Sequence, residues 1–276
     1  MLEVIGHSTF TKDQKPIKKV SANPFFKNSS IQNIVLNHLK ENNPDKALKE
    51  ILKEKDSSLK NIMFLKIVED CLVKKNLVEA LKVTQHISNK WWKNHWYVQI
   101  SEEYLGNDDL ENAFKTAVNT PNPSSKNHLL NDIAKKYTKK DEFQKSLEVV
   151  EQAQLNFQSF ILYEIGTIFL KKEDLEKAEK ILKKIDDPYY QKKLIKIIAK
   201  KYAANGCLEK LITLLENFFN YKNEDLKIFS KNKELKKVKN IAEKIHIEQI
   251  KLWILEAATI LEEKIEKQKK RSCIIF

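Results

Sequence analysis

The chain has 276 residues, with 50 Lys and Arg against 38 Asp and Glu, a formal net charge of +12. Hydrophobic residues make up 42% and charged residues 32%, which is compatible with a packed core and excludes global disorder. Four Gly and six Pro are too few for an all-β fold, whose hairpins and tight turns depend on them.

Residues 1–27 show no periodicity and contain Lys15-Pro16 and Asn23-Pro24, which predicts an irregular N-terminal arm. Met1 to His7 lacks the basic region and apolar stretch of a secretory signal. No apolar run reaches the roughly 18 residues a membrane-spanning helix needs, so a soluble or peripheral protein is expected. Cys71, Cys207 and Cys273 are widely spaced with no CxxC pair, which suits a reducing compartment.

Residues 28–220 carry an internal repeat. Ile34, Ile67, Ile100, Ile133, Ile165 and Ile198 recur at intervals of 33, 33, 33, 32 and 33 residues. Taking each as offset 0, offset −3 is largely apolar and offset +1 is small or slim (Val35, Val68, Ser101, Ala134, Gly166, Ala199). Offset +4 is mostly a ring: His38, Cys71, Tyr104, Tyr137, Phe169 and Tyr202. These offsets make one stripe along an α-helix. A polar break follows, as in Asn107-Asp108-Asp109, where Asp can cap the next helix. A second stripe then runs through +10, +13 and +17. Small residues at +13 (Ala47, Ala80, Ala113, Ser146, Ala178) let the two helices approach closely. Each unit therefore reads as a helix-turn-helix that buries its stripe only by stacking on neighbours. Residues 221–268 continue as helices, the second bearing an amphipathic stripe suited to capping the array. Residues 269–276 form a basic tail.

The pattern resembles the tetratricopeptide family. Tyr104 to Ala113 and Phe169 to Ala178 keep that family's nine-residue ring-to-Ala spacing, and Asp108-Asp109-Leu110 and Glu173-Asp174-Leu175 stand at its inter-helix turn. The resemblance implies an all-α, right-handed superhelical α-solenoid of about six repeats with C-terminal capping helices. It implies that first helices line a binding groove, here with His128, Asn131, Lys135, Lys139, Tyr163, Thr167, Lys171, Lys193, Lys196 and Lys200. That lining is basic, which suggests a protein or acidic peptide ligand. Trp91, Trp92 and Trp96 form the densest aromatic cluster, either inter-repeat packing or a partly exposed binding hot spot.

Cys273-Ile274-Ile275-Phe276 resembles the C-a-a-X prenylation signal, and a terminal Phe implies geranylgeranyl. Lys264, Lys267, Lys269, Lys270 and Arg271 precede it, a polybasic second signal for an anionic membrane surface. A prenyltransferase of the eukaryotic cytosol would modify the thiol, so the protein is either eukaryotic or delivered into a host by an intracellular bacterium; its Lys, Ile and Asn richness resembles proteins of such bacteria, whose effectors carry similar tails. The six His show no metal-ligand spacing, and GxGxxG, P-loop and GxSxG motifs do not occur, so neither a metal nor any cofactor beyond a covalent prenyl group is expected. The expectation is a non-enzymatic protein-binding scaffold anchored at Cys273 to the cytosolic face of a membrane. A soluble adaptor without lipid and an RNA-binding helical-repeat protein stay open. Against RNA, the charges are mixed and no repeated polar pair for reading bases appears, so a nucleic-acid partner is disfavoured.

Overall fold

The computed structural model describes residues 30–205 and 207–219, and five positions further on: Leu252, Leu255, Glu256, Thr259 and Glu263. The N-terminal arm, the tail with Cys273 and its basic residues, and most of 221–268 lie outside the described residues. Among the described residues every regular element is an α-helix. The pairs are α1 (Ser30–Lys40) with α2 (Pro44–Leu52), α3 (Ser57–Val73) with α4 (Leu77–Thr84), and α5 (Lys90–Gly106) with α6 (Leu110–Val118). Then come α7 (Pro123–Lys139) with α8 (Phe143–Glu151), α9 (Leu155–Lys171) with α10 (Leu175–Leu182), and α11 (Pro188–Asn205) with α12 (Leu208–Phe219). Long first helices alternate with short second ones: α3, α5, α7 and α9 each have 17 residues, while α4, α6, α8 and α10 have 8 or 9.

The chain groups into two compact units, dividing between Trp92 and Lys93 within α5. In the first, α1 packs on α2 and α3, and α3 packs on α4. In the second, α7 packs on α6, α8 and α9, and α9 packs on α10 and α11. In α1, α7 and α9 the first helix thus contacts both its own partner and the first helix of the next repeat. The protein is an all-α repeat array of helix pairs.

The turn inside each pair is built the same way five times. Asn42, Lys75, Asp108, Asp141 and Glu173, all at offset +8, adopt the left-handed conformation with φ between 57° and 64°. The amide of each donates to the carbonyl three residues back, as Asp108 N does to Leu105 O at 3.2 Å. The next amide reaches back to the ring position, as Asp109 N does to Tyr104 O at 2.9 Å. This paired closure satisfies the carbonyls that a helix C-terminus otherwise leaves open. The residue making the second bond also starts the next helix. Asn43, Asn76, Asp109 and Asp174 accept from the amide three residues on. Glu142 holds the same place without a side-chain cap bond.

Packing follows the expected stripes. Ile67, Ile100, Ile133, Ile165 and Ile198 are fully buried, as are Ala47, Ala80, Ala113, Ser146 and Ala178 at +13. The small residues bring the paired helices close enough for Ser101 Oγ to donate to Ala113 O at 3.0 Å and Ser146 Oγ to Ala134 O at 3.0 Å. The first repeat departs from the frame. Ile34 is 41% exposed, whereas Val35 and Leu39 are buried. The buried face of the 11-residue α1 is rotated by one residue relative to the longer first helices, and it packs on α2 and α3.

Polar bonds link one repeat to the next. At offset −6, Asn61 accepts from Ser88 N, Asn94 from Asn122 N, and Asn127 from Gln154 N, at 3.1 Å each. Ser159 takes this role toward Asp187 N at 3.1 Å. Each of these side chains fixes the loop that leads into the following repeat. At the opposite ends of the first helices, lysines from the following repeat complete open carbonyls. Lys74 Nζ donates to Leu39 O at 2.6 Å, Lys136 Nζ to Leu105 O at 2.7 Å, and Lys172 Nζ to Lys139 O at 2.9 Å. A cation at a helix C-terminus also opposes the negative end of the helix dipole.

Candidate functional site

Helices α7, α9 and α11 carry the residues expected to line a groove, and all three belong to the second unit. A cleft of about 440 Å³ opens between α9 and α11. Tyr163, Thr167 and Lys171 line it, together with Glu164, Leu170, Ile197 and Lys201. On α11 it is therefore Ile197 and Lys201, one residue beyond Lys196 and Lys200, that face the cleft. Thr167 Oγ1 donates to Glu164 O at 2.7 Å and so lies against its own helix.

The remaining groove candidates are dispersed. His128 and Lys139 are exposed, and Lys196 is half-buried. Asn131 is buried at 7% exposure, contrary to a groove-lining role. It lies one turn before Ala134, on the small-residue face that packs inward, so offset −2 points into the structure there. Lys135 sits between two carboxylates, 3.7 Å from Asp132 and 3.6 Å from Glu164. Lys200 is paired at 2.6 Å with Glu256 of the C-terminal segment, and this cation holds the Glu256 carboxyl below its ordinary range. The face is thus mixed in charge rather than uniformly basic.

Its aromatic content is what the sequence reading missed. His128 of α7 meets Phe157 of α9 at 5.7 Å between centroids, and Phe157 meets Phe160 at 5.0 Å. Phe160 contacts Tyr190 of α11 at 5.8 Å, and Tyr190 contacts Tyr163 at 5.6 Å. Tyr189 adds an edge contact to Tyr190 at 5.1 Å and is 58% exposed. Lys193 lies 4.3 Å over the ring of Tyr189 and 5.9 Å over that of Tyr163. A hydrogen bond with Tyr189 raises the Lys193 pKa, keeping the cation charged. Phe157, Phe160 and Tyr190 lie at offsets −8 and −5, one turn before the helical stripe that defines the repeat. A ring at −8 or −5 recurs in Trp92, His95, His128, Phe157, Phe160 and Tyr190, which is the signal that could have found them.

The tryptophans split. Trp91 is 65% exposed and meets Trp92 edge to face at 4.5 Å. Trp96 is buried at 8% and is not part of an exposed hot spot, because it lies one turn before Ile100 on the buried face. Cys71 is 1% exposed, and burial pushes its thiol up to about 12, the opposite of nucleophile activation. Among the described residues no cluster of three or more His, Cys, Asp or Glu is arranged to hold a metal ion, and no helix is long and apolar enough to cross a membrane.

No family model matches the chain, and no curated protein matches it. Among solved structures it is similar to a circular tandem repeat protein with novel repeat topology and enhanced subunit contact surfaces, at 12% identity and a TM-score of 0.23, over 88% of this chain and 53% of that one. The chain thus spans about half the length of that structure. A second likeness, to the DHF119 filament, has 14% identity and a TM-score of 0.12, over 86% of this chain and 97% of that one. What the helix pairs and their 33-residue period establish is a helical-repeat protein.

Proposed function

We propose that the chain is a non-enzymatic, tetratricopeptide-like scaffold that binds a protein ligand on the α9–α11 face and works at the cytosolic surface of a membrane. The observation that carries the binding role is the α9–α11 cleft, which adjoins partly exposed rings and cations contributed by consecutive first helices. Rigid helices display these groups at fixed spacing, as recognition of an extended peptide requires. Partly exposed Tyr residues supply much of the binding energy at such surfaces.

The membrane address rests on the tail. Where Phe276 carries the free carboxylate, Cys273 is the acceptor for a geranylgeranyl group transferred by a host-type prenyltransferase. Lys264, Lys267, Lys269, Lys270 and Arg271 add the electrostatic attraction that a single lipid chain lacks. The similarity of this tail to those of effectors from intracellular bacteria supports a host membrane as the destination.

Two measurements test the two halves. A photo-crosslinking amino acid at Thr167, at the cleft, is compared with one at Val78, which is 66% exposed and belongs to the first unit. Protein adducts in cells are expected at Thr167 above the Val78 background, and equal yields would sink the binding role of this face. Metabolic labelling with a geranylgeranyl analogue, read by intact mass, is expected for the wild type and absent in Cys273→Ser. Identical labelling and membrane partition of the two proteins would remove the lipid anchor.

A further inference from the structure

We infer that the rings of α9 and α11 and the cleft beside them form one continuous docking surface for an acidic peptide segment carrying an aromatic or aliphatic anchor residue. This deepens the scaffold reading and rests on it. Phe157, Phe160 and Tyr163 stand three residues apart on α9, so they follow one another along a single helix face. The rise from Phe157 to Tyr163 is about 9 Å, the length of about three residues of extended peptide. Tyr163 belongs to both the ring series and the cleft, so the surface has no break. The cleft mixes apolar and charged groups: Leu170 lies buried beneath it, half-buried Ile197 lines it, and Lys171 and Lys201 stand beside them.

Charge decides the occupant. Lys193 lies on the ring series and Lys171 and Lys201 line the cleft, against Glu164, which Lys135 already faces at 3.6 Å. Lys201 reaches Glu173 at 3.5 Å, but that pair is exposed and worth little. A ligand bringing carboxylates to these lysines and one apolar side chain to Ile197 and the Tyr163 ring complements the whole surface. Single-stranded RNA fits less well. Base stacking needs open ring faces, yet these rings meet mainly edge to face or tilted, and Lys193 occupies the faces of Tyr189 and Tyr163.

The test uses the full chain and fluorescence anisotropy at low salt. The probe is a nine-residue peptide alternating Asp with Phe and Leu. Its controls replace Phe and Leu by Ser, or Asp by Lys, and a further arm uses a uridine oligonucleotide. The alternating acidic probe is expected to bind, and both peptide controls to bind much more weakly. Lys193→Glu and Tyr189→Ser change exposed positions and are expected to weaken the probe about tenfold, the equivalent of about 1.4 kcal/mol. Lys180→Glu, an exposed reversal on α10, serves as the charge control, and circular dichroism verifies that each variant keeps its helicity. Equal binding of the Ser-substituted peptide, equal effects of Lys180→Glu and Lys193→Glu, or tighter binding of the oligonucleotide would each overturn the proposal. If the acidic probe fails while Thr167 still crosslinks to proteins, the acidic-peptide assignment falls and the scaffold reading stands.

Discussion

Gly166 offers a sharp test of how the repeats are packed. It holds the small position of α9, and a Cβ built there would lie 2.7 Å from Leu194 Cδ2, 3.1 Å from Leu194 Cδ1 and 3.4 Å from Ile181 Cγ2. Ordinary carbon contacts are about 3.5–4.0 Å, so close to 1 Å must be found, and Leu194 is fully buried with no solvent to swing into. Overpacking of this kind costs about 1–3 kcal/mol, while replacing Gly by Ala inside a helix returns about 1 kcal/mol. Gly166→Ala should therefore destabilise by about 0–2 kcal/mol. The decisive quantity is the coupling with Leu194. Leu194→Ala alone should cost about 2–5 kcal/mol by leaving a cavity. In the Gly166→Ala background the new methyl has room, so the double variant should be more stable than the sum of the singles by about 1–2 kcal/mol. Urea unfolding followed by circular dichroism measures all four corners of the cycle, with slopes compared because repeat arrays can lose cooperativity. Additivity within about 0.5 kcal/mol would refute the contact between α9 and α11 at this point.

Asn127→Ala removes an acceptor for Gln154 N at 3.1 Å and a donor to Gln154 Oε1 at 2.8 Å from a residue only 4% exposed. The expected loss is about 2 kcal/mol, with hydrogen exchange accelerated at the start of α9. Glu173→Gly relieves a non-glycine residue at φ 62° and gives up only an exposed ion pair, so the unfolding midpoint should rise, by about 0.5–1 kcal/mol in stability. The sixth repeat already carries Gly206 at the equivalent offset. The Cys71 thiol, at about 12, is raised in the folded state, so at pH 8 its thiolate fraction is about one in ten thousand. Mass spectrometry after brief iodoacetamide treatment should find Cys71 unmodified in native protein and alkylated in urea; rapid native labelling would contradict its burial.

The helix pairs were legible because apolar side chains recur with the helical period and the pairs themselves recur every 33 residues. Burial of Ile67, Ile100, Ile133, Ile165 and Ile198 follows directly from that double periodicity. The offset −6 residues escaped the same reading because they are polar and their partners lie in loops, where helical periodicity carries no signal. Their own 33-residue recurrence (Asn61, Asn94, Asn127) was nevertheless present in the sequence. The α9–α11 face was legible only in part. Tyr163, Thr167 and Lys171 do share a cleft, because they follow one another along one helix. Asn131 and Trp96 fall inside the protein because each lies one turn from a buried stripe residue. The pairing of Lys135 with Glu164 and of Lys200 with Glu256 crosses between elements, and spacing along one helix cannot reveal it.

The Asn61, Asn94, Asn127 and Ser159 bonds have a polarity. Each side chain belongs to one repeat and secures the amide that opens the next, always toward the C-terminus. A ribosome releases these anchors in the order in which they are needed. A nascent chain halted after any repeat would already hold every amide clamp its folded part requires, whereas a chain shortened from the other end would expose a loop whose clamp had been deleted. Growth of the array is in this sense vectorial, written into one polar position in each of these four repeats.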